Sequence, residues 1–155
     1  MSSYALYTLR DLRVAEERQA ERALGEAMAA VRRAEVEAER LEARTVEARA
    51  VELAARSAEP PFGHATVAAA QTTRRFSERL RLATRAAVEA LARHRAEVVT
   101  PAERAEATAR AAHLRARQRR ETVEKAIARR EALRRLEQER RAEAAADDHP
   151  QGRKS

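Results

Sequence analysis

Ala20, Leu24, Ala27, Val31, Ala34, Ala38, Leu41, Thr45 and Ala48 recur at alternating steps of four and three, and no Pro stands between Tyr4 and Ser57. That spacing returns each residue to one stripe of an α-helix, and its 3.5-residue mean repeat is the seam of a coiled coil. Most of the stripe is Ala, so a partner helix can approach closely. The other faces carry charge, with opposite signs four apart as in Glu52 and Arg56, a spacing that supports a helix in water. Gly25 is the one weak point, costing about 1 kcal/mol relative to Ala. Leu6, Leu9 and Leu12 read as phased differently from the seam.

The segment Ser57-Ala-Glu-Pro-Pro-Phe-Gly-His64 ends this helix. Pro60 and Pro61 cannot continue it, and Gly63 permits a reversal of direction. From Ala65 a second stripe runs through Phe76, Leu80, Ala83, Ala87, Leu91, His94 and Val98. Thr100-Pro101-Ala102-Glu103 supports two readings. One is a new helix, with Thr100 as N-cap, Pro101 at the first position and Glu103 closing a capping box. The other is a kink in one continuous helix. A third stripe follows: Ala109, Ala112, Ala116, Val123, Ile127, Leu133 and Leu136. The polar ending Asp-Asp-His-Pro-Gln-Gly-Arg-Lys-Ser reads as a disordered tail over 148–155.

Isolated amphipathic helices are marginal in water, so these stripes must cover one another. The expected fold is all-α: an elongated, antiparallel two-helix coiled-coil hairpin forming a single domain over 4–147. Its parts are a helix over 4–57, a turn over 58–65 and a returning limb over 66–147, kinked or restarted at Pro101. Composition agrees. Charged residues make up 37% of the 155-residue chain, with only 3 Gly and 4 Pro, the profile of long helices rather than a thick globular core. No cysteine is present, which excludes disulfides and thiol chemistry and fits a reducing compartment. No apolar run is long enough to span a membrane, and no secretory leader pattern opens the chain.

The charge is unevenly placed. Residues 1–57 hold 10 basic and 11 acidic side chains, whereas residues 115–141 hold 11 basic and 5 acidic. A basic helix of this kind is read as a solvated face, as a dock for an acidic protein surface, or as a phosphate-binding helix. A basic zipper needs Leu heptads after the basic run, and a membrane-surface helix needs large apolar residues opposite the charge. Both are missing. His64, His94, His113 and His149 stand apart, and there is no Gly-rich phosphate loop ending in Lys-Ser/Thr. No catalytic residues, cofactor or metal are expected, and the chain reads as a non-enzyme.

Two patches carry a family resemblance. Leu6-Tyr-Thr-Leu-Arg-Asp-Leu12, followed by an acidic and Arg-rich helix with Ala23-Leu-Gly-Glu-Ala-Met28, resembles the N-terminus of the FliJ/YscO (SctO) proteins, stalk components of bacterial type III export machines. The second patch is a Phe with Leu at +4 and Ala at +7 after the turn: Phe76, Leu80 and Ala83. The resemblance covers about residues 4–145, with a modest insertion at the Pro-Pro turn.

The resemblance implies a two-helix coiled coil that inserts in the hexameric export ATPase and reaches the cytoplasmic domain of the export gate. Such a protein promotes ATPase assembly and export, and some relatives bind export chaperones. It implies gate or chaperone docking at Leu41, Phe76, Leu80 and Ala83. ATPase-ring contact would fall at the end that bears the termini, through Leu9, Arg10, Arg129, Arg130, Arg134 and Arg135. It further implies a monomer in the cytoplasm, peripheral to the membrane-embedded apparatus, with no nucleic acid bound. The chain departs from the family at Ala87, Arg44 and Ala48, where a His and two aromatics can occur, so the preferred partner can differ. Read without the resemblance, Phe76 and Leu80 fill the hairpin seam. The alternative functions are a basic nucleic-acid-binding coiled coil and a self-associating structural protein.

Overall fold

The computed structural model describes residues 3–58 and 66–147. The expected reversal at Pro60–Gly63 and the expected tail over 148–155 lie outside them. The described chain is all-α: helix α1 (Ser3–Ser57), helix α2 (Val67–His94), a π turn (Arg95–Val99) and helix α3 (Thr100–Asp147). None of these helices is long and apolar enough to cross a membrane. Two compact units emerge, one formed by Met1–Ala23 with Arg110–Ser155 and the other by Leu24–Ala109.

In the first unit α1 pairs with α3. The Tyr7 hydroxyl donates to Glu131 Oε1 at 2.7 Å, and Arg120 Nε lies 2.5 Å from Glu17 Oε2. Advancing along α1 thus means retreating along α3, so the pair is antiparallel. Ala116, Val123 and Ile127 are its buried apolar residues on α3. On α1 the half-buried line runs Leu6, Arg10, Arg13, Glu17 and Ala20. Leu6 therefore belongs to the seam, in phase with Ala20, contrary to the reading of a separate leucine stripe. The seam merely passes through charged residues between them. Leu12 faces out.

In the second unit α1 pairs with α2 and the start of α3. Its buried residues are Val31, Ala34, Ala38 and Thr45. The Thr45 hydroxyl donates to the Leu41 carbonyl at 2.9 Å, which satisfies the one buried polar side chain among the described residues of this unit. Helix α1 covers roughly 50 Å within this unit, whereas residues 58–66 reach at most roughly 30 Å fully extended. The chain must therefore double back, and the pair is antiparallel. Thr66 caps α2, its hydroxyl accepting from the Ala69 N–H at 3.3 Å.

The seam of the second limb differs from the expected one. It runs Ala70, Thr73, Ser77, Leu80, Thr84, Ala87, Leu91 and His94, all half-buried. Phe76, Ala83 and Val98 flank it and are exposed. Small hydroxyl residues occupy positions that a search for apolar side chains assigns elsewhere. Further along, Leu133 and Leu136 are also exposed and lie outside the seam.

Pro101 neither starts a helix nor breaks one. Thr100 has helical backbone angles (φ −58°, ψ −44°) and its N–H bonds to the Arg95 carbonyl, five residues back. Its hydroxyl donates to the same carbonyl at 3.0 Å, so it does not cap toward Glu103. A ladder that widens to five residues and then narrows leaves a carbonyl without an amide partner. Pro101, which has no N–H to offer, follows the widened turn.

Candidate interaction surface

Among the described residues no group of three or more His, Cys, Asp or Glu is arranged to hold a metal. The concavities are open grooves on helix surfaces. One, of about 530 Å³, lies beside the π turn and is lined by Glu35, Ala38, Glu39, Glu42, Arg95, Val99 and Thr100. Arg95 reaches Glu42 across it at 3.4 Å. His94 Nε2 lies 2.9 Å from the Ala34 carbonyl. A carbonyl can only accept, so Nε2 carries the proton. These two contacts fasten α1 to the second limb at the π turn.

The four residues expected to form one docking patch divide between two environments. Leu41 and Leu80 are half-buried in the seam of the second unit. Phe76 is 54% exposed and Ala83 is exposed as well. A heptad helix explains the division. Positions 76 and 83 are seven apart and share a face, while position 80 falls about 50° to one side, on the seam. The outer surface therefore presents Phe76 and Ala83, with Leu80 beneath their edge.

Around Phe76 the sequence places a basic collar that lies outside both 1–57 and 115–141. Arg74, Arg75, Arg79, Arg81 and Arg85 face only Glu78 between positions 74 and 85. None of the five forms an ion pair with a described residue, and Leu82 among them is 61% exposed. Beyond it, Glu89, Glu97, Glu103 and Glu106 are matched in number by Arg93, Arg95, Arg104 and Arg110, so the excess is confined to the collar. A window of about a dozen residues reveals it.

The six residues expected to contact an ATPase ring also differ in availability. Leu9 is half-buried. Arg10 is engaged locally: it bonds to Asp11 at 2.8 Å and stacks 5.3 Å above the Tyr7 ring. Its pKa is raised, first by the hydrogen bond to Asp11 and then by that carboxylate's charge. Arg130 is half-buried beside Leu6, Tyr7, Ile127, Glu131 and Arg134. Arg129, Arg134 and Arg135 are exposed. From Ala132 to Asp147 every residue of α3 is exposed, so this stretch is a helix covered by nothing among the described residues.

The electrostatics of the first unit centre on Arg120, a seam residue. Desolvation opposes its charge, but Glu124 and Glu17 outweigh it, and its pKa stands above the ordinary arginine value. Glu124 accepts a hydrogen bond from Nη1 at 2.8 Å. The contact with Glu17 is ionic, because Nε makes no aligned hydrogen bond. His113 Nδ1 is likewise buried without a partner.

No protein-family model, curated protein or solved structure matches this chain. The functional reading therefore rests on the residues and their placement.

Proposed function

We propose that this chain is the non-enzymatic stalk of a type III protein export machine, inserting in the export ATPase hexamer and touching the cytoplasmic domain of the export gate. The reading rests on the resemblance of the Leu6–Met28 and Phe76–Ala83 patches to FliJ/YscO proteins. The observation that carries it furthest is Phe76, a large aromatic left outside the seam of an antiparallel helix pair. Exposed aromatics of this kind serve as anchors when a partner buries them. In this reading Phe76 and Ala83 meet the gate or an export chaperone, and Leu41 and Leu80 support that surface from the seam. The exposed Arg129, Arg134 and Arg135 meet the ATPase. The protein works in the cytoplasm, as a monomer, peripheral to the membrane-embedded apparatus. It promotes ATPase assembly and export by binding some states of the ring more tightly than others.

Phe76→Ala tests the gate contact. Binding to the purified gate domain falls about tenfold or more, as for the loss of an interface anchor, while helicity and melting hold. Unchanged binding overturns the assignment. A second reading, nucleic-acid binding, draws on the exposed Arg129, Arg134 and Arg135. Tight, steeply salt-dependent binding of a DNA duplex without any effect on an export ATPase selects it.

A further inference from the structure

The two limbs of the hairpin count differently. Along α1 the covered positions keep steps of three and four from Leu6 to Ala55 without interruption. On the second limb the same rhythm holds from Ala70 to His94, and again from Ala102 to Arg130. Between His94 and Ala102 it needs eight residues where a heptad supplies seven. One residue is surplus, and the π turn at Arg95–Val99 absorbs it. Residues downstream of a widened turn are rotated by about 100° relative to an unbroken α-helix.

The rotation selects one of two seams. The present one presents Val99, Ala102, Glu106, Ala109 and His113, all at least half-buried. An unwidened helix presents Val98, Pro101, Ala105, Thr108 and Ala112 instead. The second set is at least as well suited to a seam. It has no charged residue, and it replaces His113, whose Nδ1 is buried without a partner, by Ala112. The phase is decided outside this stretch. Leu80 and Leu91 fix it before, and Ala116, Val123 and Ile127 fix it after. Only the location of the surplus residue between those anchors is open to choice. Pro101 makes the choice, because its ring and missing N–H disfavour a regular α-helical turn at that point.

We infer that the surplus residue is a movable defect and that Pro101 is its catch. In the second state the π turn has passed from Arg95–Val99 to the neighbourhood of His113. The intervening stretch has turned by one position about its own axis, and Val99, Glu106 and Ala109 have exchanged places with Val98, Ala105 and Thr108. The seams up to Leu91 and from Ala116 onward each keep their own phase, so the exchange is a local torsion of the stretch that intervenes in the chain. A partner that binds the outer face of one state better than that of the other draws the joint toward it. The inference stands on the seam alone and is independent of the stalk reading.

The chain has no cysteine, so single cysteines report accessibility cleanly. Placed at Ala109 and, separately, at Thr108, they react with a maleimide at rates that differ by about tenfold or more in the present phase, Thr108→Cys being faster. Adding Pro101→Ala releases the catch, and the ratio falls below about threefold or inverts while helicity is retained. A ratio that Pro101→Ala leaves unchanged overturns the inference. If Pro101→Ala perturbs folding, the unmodified chain still answers. Amides of residues 102–113 exchange with solvent about tenfold faster than those of residues 84–91 and 120–127 when the defect moves through them. Equal protection across all three stretches overturns it.

Discussion

Arg120 and Glu17 face each other across the seam of the first unit, Nε 2.5 Å from Oε2, at positions a coiled coil ordinarily gives to apolar side chains. Glu124 holds the same guanidinium from within α3. The pair fixes which residue of α3 meets which residue of α1 more sharply than an Ala layer does. Charged pairs in such positions specify register more than they stabilise. Replacing Arg120 alone by Ala strands the Glu17 carboxylate and lowers the melting temperature by a few degrees. Replacing both Arg120 and Glu17 by Leu raises it above that of the unmodified chain. Thermal melts of the two variants followed by circular dichroism check both signs.

Ala34 is buried where α1 meets His94, and its carbonyl receives the imidazole. A larger side chain there drives the helices apart and strips that hydrogen bond. Ala34→Leu destabilises by about 1–3 kcal/mol, although Leu is the more hydrophobic residue. Chemical denaturation measures it, and a stabilised variant would show that the helices are not closely approached at this level.

Phe76 and Leu80 are one helical turn apart, yet only Leu80 lies in the seam. Phe76→Ala leaves stability within about 0.5 kcal/mol, whereas Leu80→Ala costs about 1–2 kcal/mol for its half-buried side chain. Equal losses in denaturation would mean that both residues pack inside the hairpin.

Two groups contribute opposite pH responses. The hydrogen bond from Arg117 holds the Glu121 carboxyl below its ordinary value. The unfolded chain therefore binds that proton more readily. The stabilisation is present above the ordinary carboxylate pKa and is lost as pH falls through the depressed native value. Tyr7 behaves oppositely. Its hydrogen bond to Glu131, then partial burial and the Glu131 charge, raise its pKa. That stabilisation is present below the ordinary tyrosine value and is lost as pH rises through the raised one. Tyr7→Phe removes the Tyr7 contribution at the alkaline end of a stability–pH curve, and Glu121→Gln removes the Glu121 contribution at the acid end.

The hairpin and the seam of α1 were legible in the sequence because nothing interrupts the rhythm from Ala20 to Ala48. The stripe of the second limb was misread for a physical reason. Phe76 attracts a stripe toward itself, although Ser77 and Thr84 are small enough to occupy the seam and Phe76 is left outside. Of the two readings of Thr100-Pro101, the continuous helix is the one observed, because a hydroxyl that caps an N-terminus also satisfies a carbonyl five residues back inside a widened turn. Sequence periodicity read in separate segments cannot count the surplus residue. The count needs both limbs in register. The basic collar around Phe76 escaped because it lies outside the two stretches, 1–57 and 115–141, between which the charge contrast is drawn.

The central claim, a stalk that acts on an export ATPase without catalysing anything itself, is tested most directly by adding the purified chain to the purified ATPase and following hexamer formation and ATP turnover. The account predicts that both rise saturably with the added chain, and that the variant bearing Glu at 129, 134 and 135 loses most of the effect while Phe76→Ala retains it. ATP turnover and assembly indifferent to the chain at every concentration would contradict it.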